Sequence, residues 1–106
     1  MVYSATIDGK QINDWDSFHD EFARKMGFFS GYGRNGNAWI DCMRDIYTNG
    51  EYEGLTKFGL DDGDKFILKV VNVEVWKTNG LQTFNAFLDW IDPSNDDEMK
   101  FELELH

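Results

Sequence analysis

The segment Phe66–Val71, FILKVV, constrains this chain more than any other. A run so continuously apolar and β-branched is predicted to be a strand, and it suits a sheet covered on both faces by helices. Helical patterns on either side supply the cover. Upstream, Asn13 or Asp14 offers an N-cap, Trp15, Phe18, Phe22 and Met26 recur at three- and four-residue intervals, and Gly27 offers a stop. Ahead of that helix, Val2–Ile7 reads as a first strand closed by the Asp8-Gly9 turn.

Phe28 to Gly36 is rich in glycine and aromatics without a regular period, which predicts a loop. Asn35 then offers the N-cap of a second helix running to about Tyr47. Ala38, Trp39, Cys42, Met43, Ile46 and Tyr47 form its apolar stripe. Asn37, Ile40, Asp41, Arg44 and Asp45 lie on or beside the opposite face. The stretch from Thr48 to Asp64 is turn-rich, and its weak alternation leaves loop and hairpin both open.

Beyond the Phe66–Val71 strand, a short helical turn is expected through Val75 and Trp76. Asn79-Gly80 opens a further helix with Leu81, Phe84, Phe87, Leu88 and Ile91 as its stripe, ended by Asp92-Pro93. Met99, Phe101, Leu103 and Leu105 alternate with Lys100, Glu102, Glu104 and His106, the pattern of an edge strand with one wet face. Strands joined by helical crossovers call for a small three-stranded parallel sheet packed with three or four helices, an α/β fold. With 106 residues and no internal repeat or linker, one domain spanning 1–106 is expected.

Asp and Glu number 20 against 10 Lys and Arg, a formal net charge of -10 that would repel nucleic acid and anionic lipid and attract a basic protein. The one cysteine, Cys42, permits no internal disulfide, and the two histidines, His19 and His106, do not build a zinc cluster with it. MVYSATIDGK has neither a basic nor an apolar leader-like region, and no segment has the length of a membrane span. A cytoplasmic protein in a reducing compartment, with no membrane or nucleic-acid partner, no cofactor and no metal, is the expectation.

Enzymatic chemistry finds little support. His19 lies between Phe18 and Phe22, and nothing in the sequence supplies it with a partner, so it reads as a structural or surface histidine. Cys42, on the apolar stripe, reads as an inert thiol. GYGRNG has glycines but no following Lys-Ser or Lys-Thr and no preceding strand, so it is not a phosphate cradle. DDGD and SNDDE lack calcium-loop spacing and read as solvated turns. An acid-pair hydrolase would need a supporting base or metal set, and none is visible.

The stretch Tyr32-Gly33-Arg34-Asn35-Gly36-Asn37-Ala38-Trp39-Ile40-Asp41-Cys42-Met43 resembles the barstar family signature, Tyr-Gly-x-Asn-x-Asp-Ala-x-x-Asp-x-Leu, at a loop-to-helix junction. Ile7-Asp8-Gly9-Lys10, Ser17-Phe18-His19 with Phe22, and Asn79-Gly80 resemble the family's first strand and turn, first helix and last helix start. The resemblance implies a three-stranded parallel sheet packed with helices and an intracellular inhibitor of a barnase-like ribonuclease or related nuclease toxin. It implies a partner face made of Tyr32, Gly33, Arg34, Asn35, Asn37, Ile40, Asp41, Arg44 and Asp45, with Asp41 matching the family's central acid. A carboxylate set where a substrate phosphate would sit pairs with the nuclease's Arg and Lys.

This sequence departs from the pattern in three places. Asn37 stands where the family usually has aspartate, Arg34 adds a cation to the contact loop, and Ile40 takes a position where larger side chains are frequent. The last helix can also contribute an acid in this family, and Asp89 and Asp92, on either side of Trp90, are the candidates. The Tyr52–Asp64 segment looks like an insertion. A free monomer that binds a basic ribonuclease is the leading expectation, and a non-inhibitory interaction module on the same fold is the alternative.

Overall fold

The computed structural model describes residues 1–47, 54–61, 63–94 and 99–106. Most of SNDDE and the start of the Tyr52–Asp64 segment therefore lie outside the described residues. The elements run β1 (Val2–Asp8), a 3₁₀ turn (Gly9–Gln11), α1 (Trp15–Met26), α2 (Gly36–Arg44), β2 (Lys65–Val71), α3 (Val73–Asn79), α4 (Leu81–Trp90) and β3 (Glu102–Leu105). The three strands form one sheet in the order β1-β2-β3, with both pairings parallel. Helices thus make every described connection between strands, as parallel pairing demands.

The predicted strand is β2, at the centre of the sheet, but only one sheet face is deeply buried. Phe66, Leu68 and Val70 point into the core beside Ala5 and Ile7 of β1. On the other face Ile67, Lys69 and Val71 are half-covered, and their β1 neighbours Ser4 and Thr6 are exposed. This corrects the expectation of cover on both faces. Lys69 is the residue that marked the wetter side, because strand side chains alternate and a lysine head must reach water.

Helix starts follow their capping chemistry. The Asp14 carboxylate accepts the Ser17 N–H at 2.8 Å, and Ser17 Oγ accepts the Asp14 N–H at 3.0 Å, a reciprocal capping box at the head of α1. Gly27 ends that helix in the left-handed region at φ 64°. Gly80 serves two helices at once. Its N–H donates to the Trp76 carbonyl at 2.7 Å and closes α3, while its carbonyl accepts the Phe84 N–H at 3.0 Å and opens α4.

The core beneath the sheet is largely aromatic. Phe18, Phe22, Trp39, Trp76 and Phe87 are fully buried, with Phe22 edge-on to Trp39 at 5.4 Å and Trp76 at 5.2 Å from Phe87. Burial of side chains this large supplies most of the hydrophobic stabilisation of a chain this size. Trp39 Nε1 is a buried donor with no hydrogen-bond partner among the described residues.

Two helices differ from expectation. α2 stops at Arg44 rather than near Tyr47, because Tyr47 leaves the helix to make a parallel bridge with Leu60 and its hydroxyl accepts the Phe66 N–H at 2.9 Å. On α4, Leu81 and Leu88 are 53% and 37% exposed while Thr83 is buried. Thr83 takes the inward place because its Oγ1 accepts the buried Trp76 indole N–H at 2.9 Å and donates to the Gly80 carbonyl at 2.7 Å.

Candidate partner-binding site

α2 begins where Asn35 Oδ1 accepts the Ala38 N–H at 2.9 Å, and the same amide's Nδ2 donates to the Gly33 carbonyl at 3.3 Å. Asn35 therefore fixes both the helix start and the loop before it. Gly36 is pressed under an indole: a Cβ there would lie 2.8 Å from Cζ2 of Trp90. That contact seats the C-terminal end of α4 against the first turn of α2.

Along α2, Trp39, Cys42 and Met43 are buried, and Asn37, Asp41 and Arg44 are exposed. Spacings of four and three residues put the exposed three in one row. Ile40 is half-buried beside that row and packs on the core. Asp45 follows a different course. It is half-buried, and its Oδ2 accepts the Leu55 N–H at 3.3 Å, so it ties the end of α2 to the 54–61 segment. Burial, with Asp41 and Asp45 nearby, pushes the Cys42 thiol up to about 11, which keeps it protonated and unreactive near neutrality.

The loop ahead of α2 is held from two sides. Phe29 N–H donates to the Leu55 carbonyl at 2.9 Å, and Tyr32 N–H returns to the Phe29 carbonyl at 3.0 Å. Tyr32 is half-buried, its ring 4.6 Å from that of Phe28 and its hydroxyl 2.6 Å from His19 Nδ1. Burial drives the Tyr32 phenol above its ordinary value and so keeps it protonated. Burial, reinforced by the Arg34 charge and opposed by Asp16 and Asp20, lowers the pKa of His19 and favours a neutral ring.

Arg34 has a left-handed backbone at φ 53° and reaches back to α1. Its guanidinium donates to Asp20 Oδ1 at 2.8 Å and to the Asp16 carbonyl at 3.1 Å, with Asp16 Oδ1 at 3.5 Å. Gly33 is exposed between these anchored neighbours. The structure thus brings Tyr32, Gly33, Arg34, Asn35, Asn37, Ile40 and Asp41 onto one continuous loop-and-helix surface, continues it to Arg44, and turns Asp45 inward.

Sequence reasoning missed four contributors. His19 does have a partner, and it is Tyr32. Asp16 and Asp20 hold Arg34, and Trp90 fixes Gly36. The Ser17-Phe18-His19 stretch was in view, but no local pattern reports a contact 13 residues away. Asp89 and Asp92 are exposed at the end of α4, where Asp92 accepts the Ser94 N–H at 2.9 Å.

No group of three or more His, Cys, Asp or Glu among the described residues is placed to hold a metal, and no described helix is long and apolar enough to cross a membrane. The fold and this surface define a class: a parallel three-stranded α/β domain in which a glycine-rich loop, anchored to the first helix, feeds a short amphipathic second helix. The family model for Barstar (barnase inhibitor) matches residues 2–105, and the chain belongs to that family. No curated protein matches the chain.

Proposed function

We propose that this chain inhibits a basic ribonuclease, or a related nuclease toxin, by covering its active site with the Tyr32–Asn35 loop and the exposed row Asn37, Asp41 and Arg44 of α2. The observation that carries this reading is the placement of Asp41: exposed, in the middle of that row, on a helix whose other face is anchored in the core by Trp39 and Met43. A carboxylate on so rigid a support meets an Arg- and Lys-lined phosphate site without reorganising. The net charge of -10 favours encounter with a cationic enzyme. Ile40 and the methylene stem of Arg44 supply apolar contact beside the charge.

On this reading the protein is no enzyme, acts in the cytoplasm as a monomer of one domain, and carries the immunity or antitoxin role of an inhibitor kept beside its nuclease. Asp45 is a support rather than a contact, since its carboxylate is engaged with Leu55.

The test is RNA hydrolysis by barnase titrated with the purified chain. Inhibition at near-stoichiometric ratio is expected, and Asp41→Ala should weaken it by more than about 2 kcal/mol, roughly thirtyfold, with unchanged thermal unfolding. Full inhibition by Asp41→Ala would place the interface elsewhere. Tight binding without loss of hydrolysis would make the chain a docking module.

A further inference from the structure

We propose that α1 is the template of the contact loop, with His19, Asp16 and Asp20 acting as positioning residues that hold Tyr32 and Arg34 in their partner-ready geometry before any partner arrives. The inference rests on the reading that this loop belongs to the partner-binding surface. Two independent ties carry it. His19 is 4% exposed on the inner side of α1, and its Nδ1 lies 2.6 Å from the Tyr32 hydroxyl. A neutral ring can pair with the phenol in either tautomer, because the hydroxyl and Nδ1 can each donate or accept. A half-buried tyrosine anchored at its polar tip, with Phe28 against its ring, keeps one orientation.

The second tie explains a residue that the reading otherwise leaves awkward. Arg34 is a cation in a loop that faces a basic partner, and it holds a left-handed φ of 53° that non-glycine residues rarely adopt. Such a conformation persists where its surroundings over-determine it. The three contacts with Asp20 and Asp16 do this, and they also frame the guanidinium with two carboxylates. A partner therefore meets Arg34 as part of a locally acidic composite. Both carboxylates are largely exposed, so their ion pairs contribute little to stability, and their effect lies in placement.

A loop already in its bound form avoids the loss in apparent affinity that follows when only a fraction of molecules is competent. Cutting the ties should lower that fraction. The test compares the parent chain with His19→Leu, with the double variant Asp16→Asn/Asp20→Asn, and with His19→Asn, whose side-chain amide can place a polar atom near Nδ1. Hydrogen exchange at the Phe29 and Tyr32 amides of the free protein is read first, together with core amides of β2. Loop exchange should rise about three- to tenfold in His19→Leu and about two- to fivefold in the double variant, while β2 protection holds and His19→Asn stays near the parent. Association with barnase should slow in proportion to the fall in the ordered fraction of the loop that those exchange rates give, at unchanged dissociation.

Loop exchange equal to the parent's in both variants overturns the inference, as does loosening that tracks β2 equally, or association with barnase that does not follow the ordered fraction of the loop. Should the parent fail to bind barnase, the inhibitory reading falls, and the exchange result alone decides whether α1 templates the loop.

Discussion

α2 and α4 are helices of nine and ten residues that sort their side chains by different rules. On α2 burial follows hydrophobicity: Trp39, Cys42 and Met43 go in, and Asn37, Asp41 and Arg44 stay out. On α4 a threonine is buried and two leucines are not. The difference comes from one hydrogen-bond demand. Trp76 buries an indole N–H, and Thr83 satisfies it. On α2 periodicity alone predicts the face, and on α4 a threonine is turned inward to meet the donor beside it.

The harshest way to break this comparison is to truncate α2 at its anchor. Trp39→Ala removes a fully buried indole in contact with Phe22, Phe87 and Trp90, and should cost about 3–5 kcal/mol in chemical denaturation. Unchanged unfolding would mean that the α2 faces are reversed. Because the Trp39 indole N–H has no partner among the described residues, Trp39→Phe should cost much less than Trp39→Ala.

Next in size is Thr83→Val, which keeps the shape of α4 and deletes the hydroxyl. It leaves Trp76 Nε1 buried and unpaired, and should destabilise the protein by about 1–3 kcal/mol. A neutral Thr83→Val would show that α4 is seated by packing alone and that the two helices obey one rule after all.

A smaller effect, with a single titrating group behind it, is expected from acid on the α2 side. Burial lowers the pKa of His19 below its ordinary 6.5, so the unfolded chain takes up that proton first as the pH falls. Stability is complete above pH 6.5 and declines as the pH drops through the lowered value. Thermal unfolding at about pH 7.5 and about pH 5 should show a larger drop for the parent than for His19→Asn. Equal drops would remove His19 as a source. Smallest of all, Leu88→Gln on the outer face of α4 should change stability by no more than about 0.5 kcal/mol in either direction. A large loss there would restore the stripe that hydrophobicity alone suggests.

Much of the fold was legible. The parallel sheet, the cap Asn35, the stop Gly27, the helix opening at Asn79-Gly80, and the inward and outward faces of α2 all follow from short-range rules. The same holds for Tyr32, Asn37 and Asp41 as a shared surface. What escaped depends on partners far along the chain. His19 meets Tyr32 across 13 residues, Arg34 meets Asp20 across 14, and Asp45 is drawn inward by a backbone N–H ten residues on. Helix periodicity places a side chain on a face and says nothing of what waits opposite it. The end of α2 was misjudged for the same reason, since Tyr47 is captured by Leu60 and the backbone of β2.

The Gly80 joint also governs where a chain built to this plan can change its length. Three hydrogen bonds converge on that one residue, and a Cβ there would lie 3.0 Å from the Ile12 carbonyl. An inserted residue would break the α3 stop and the α4 start together and pull Thr83 away from Trp76. Natural length variation should therefore avoid the α3–α4 corner and collect in exposed turns such as Asp92–Ser94, where backbone leaves the surface with little to lose. Split or circularly permuted versions of the protein are best opened at that turn.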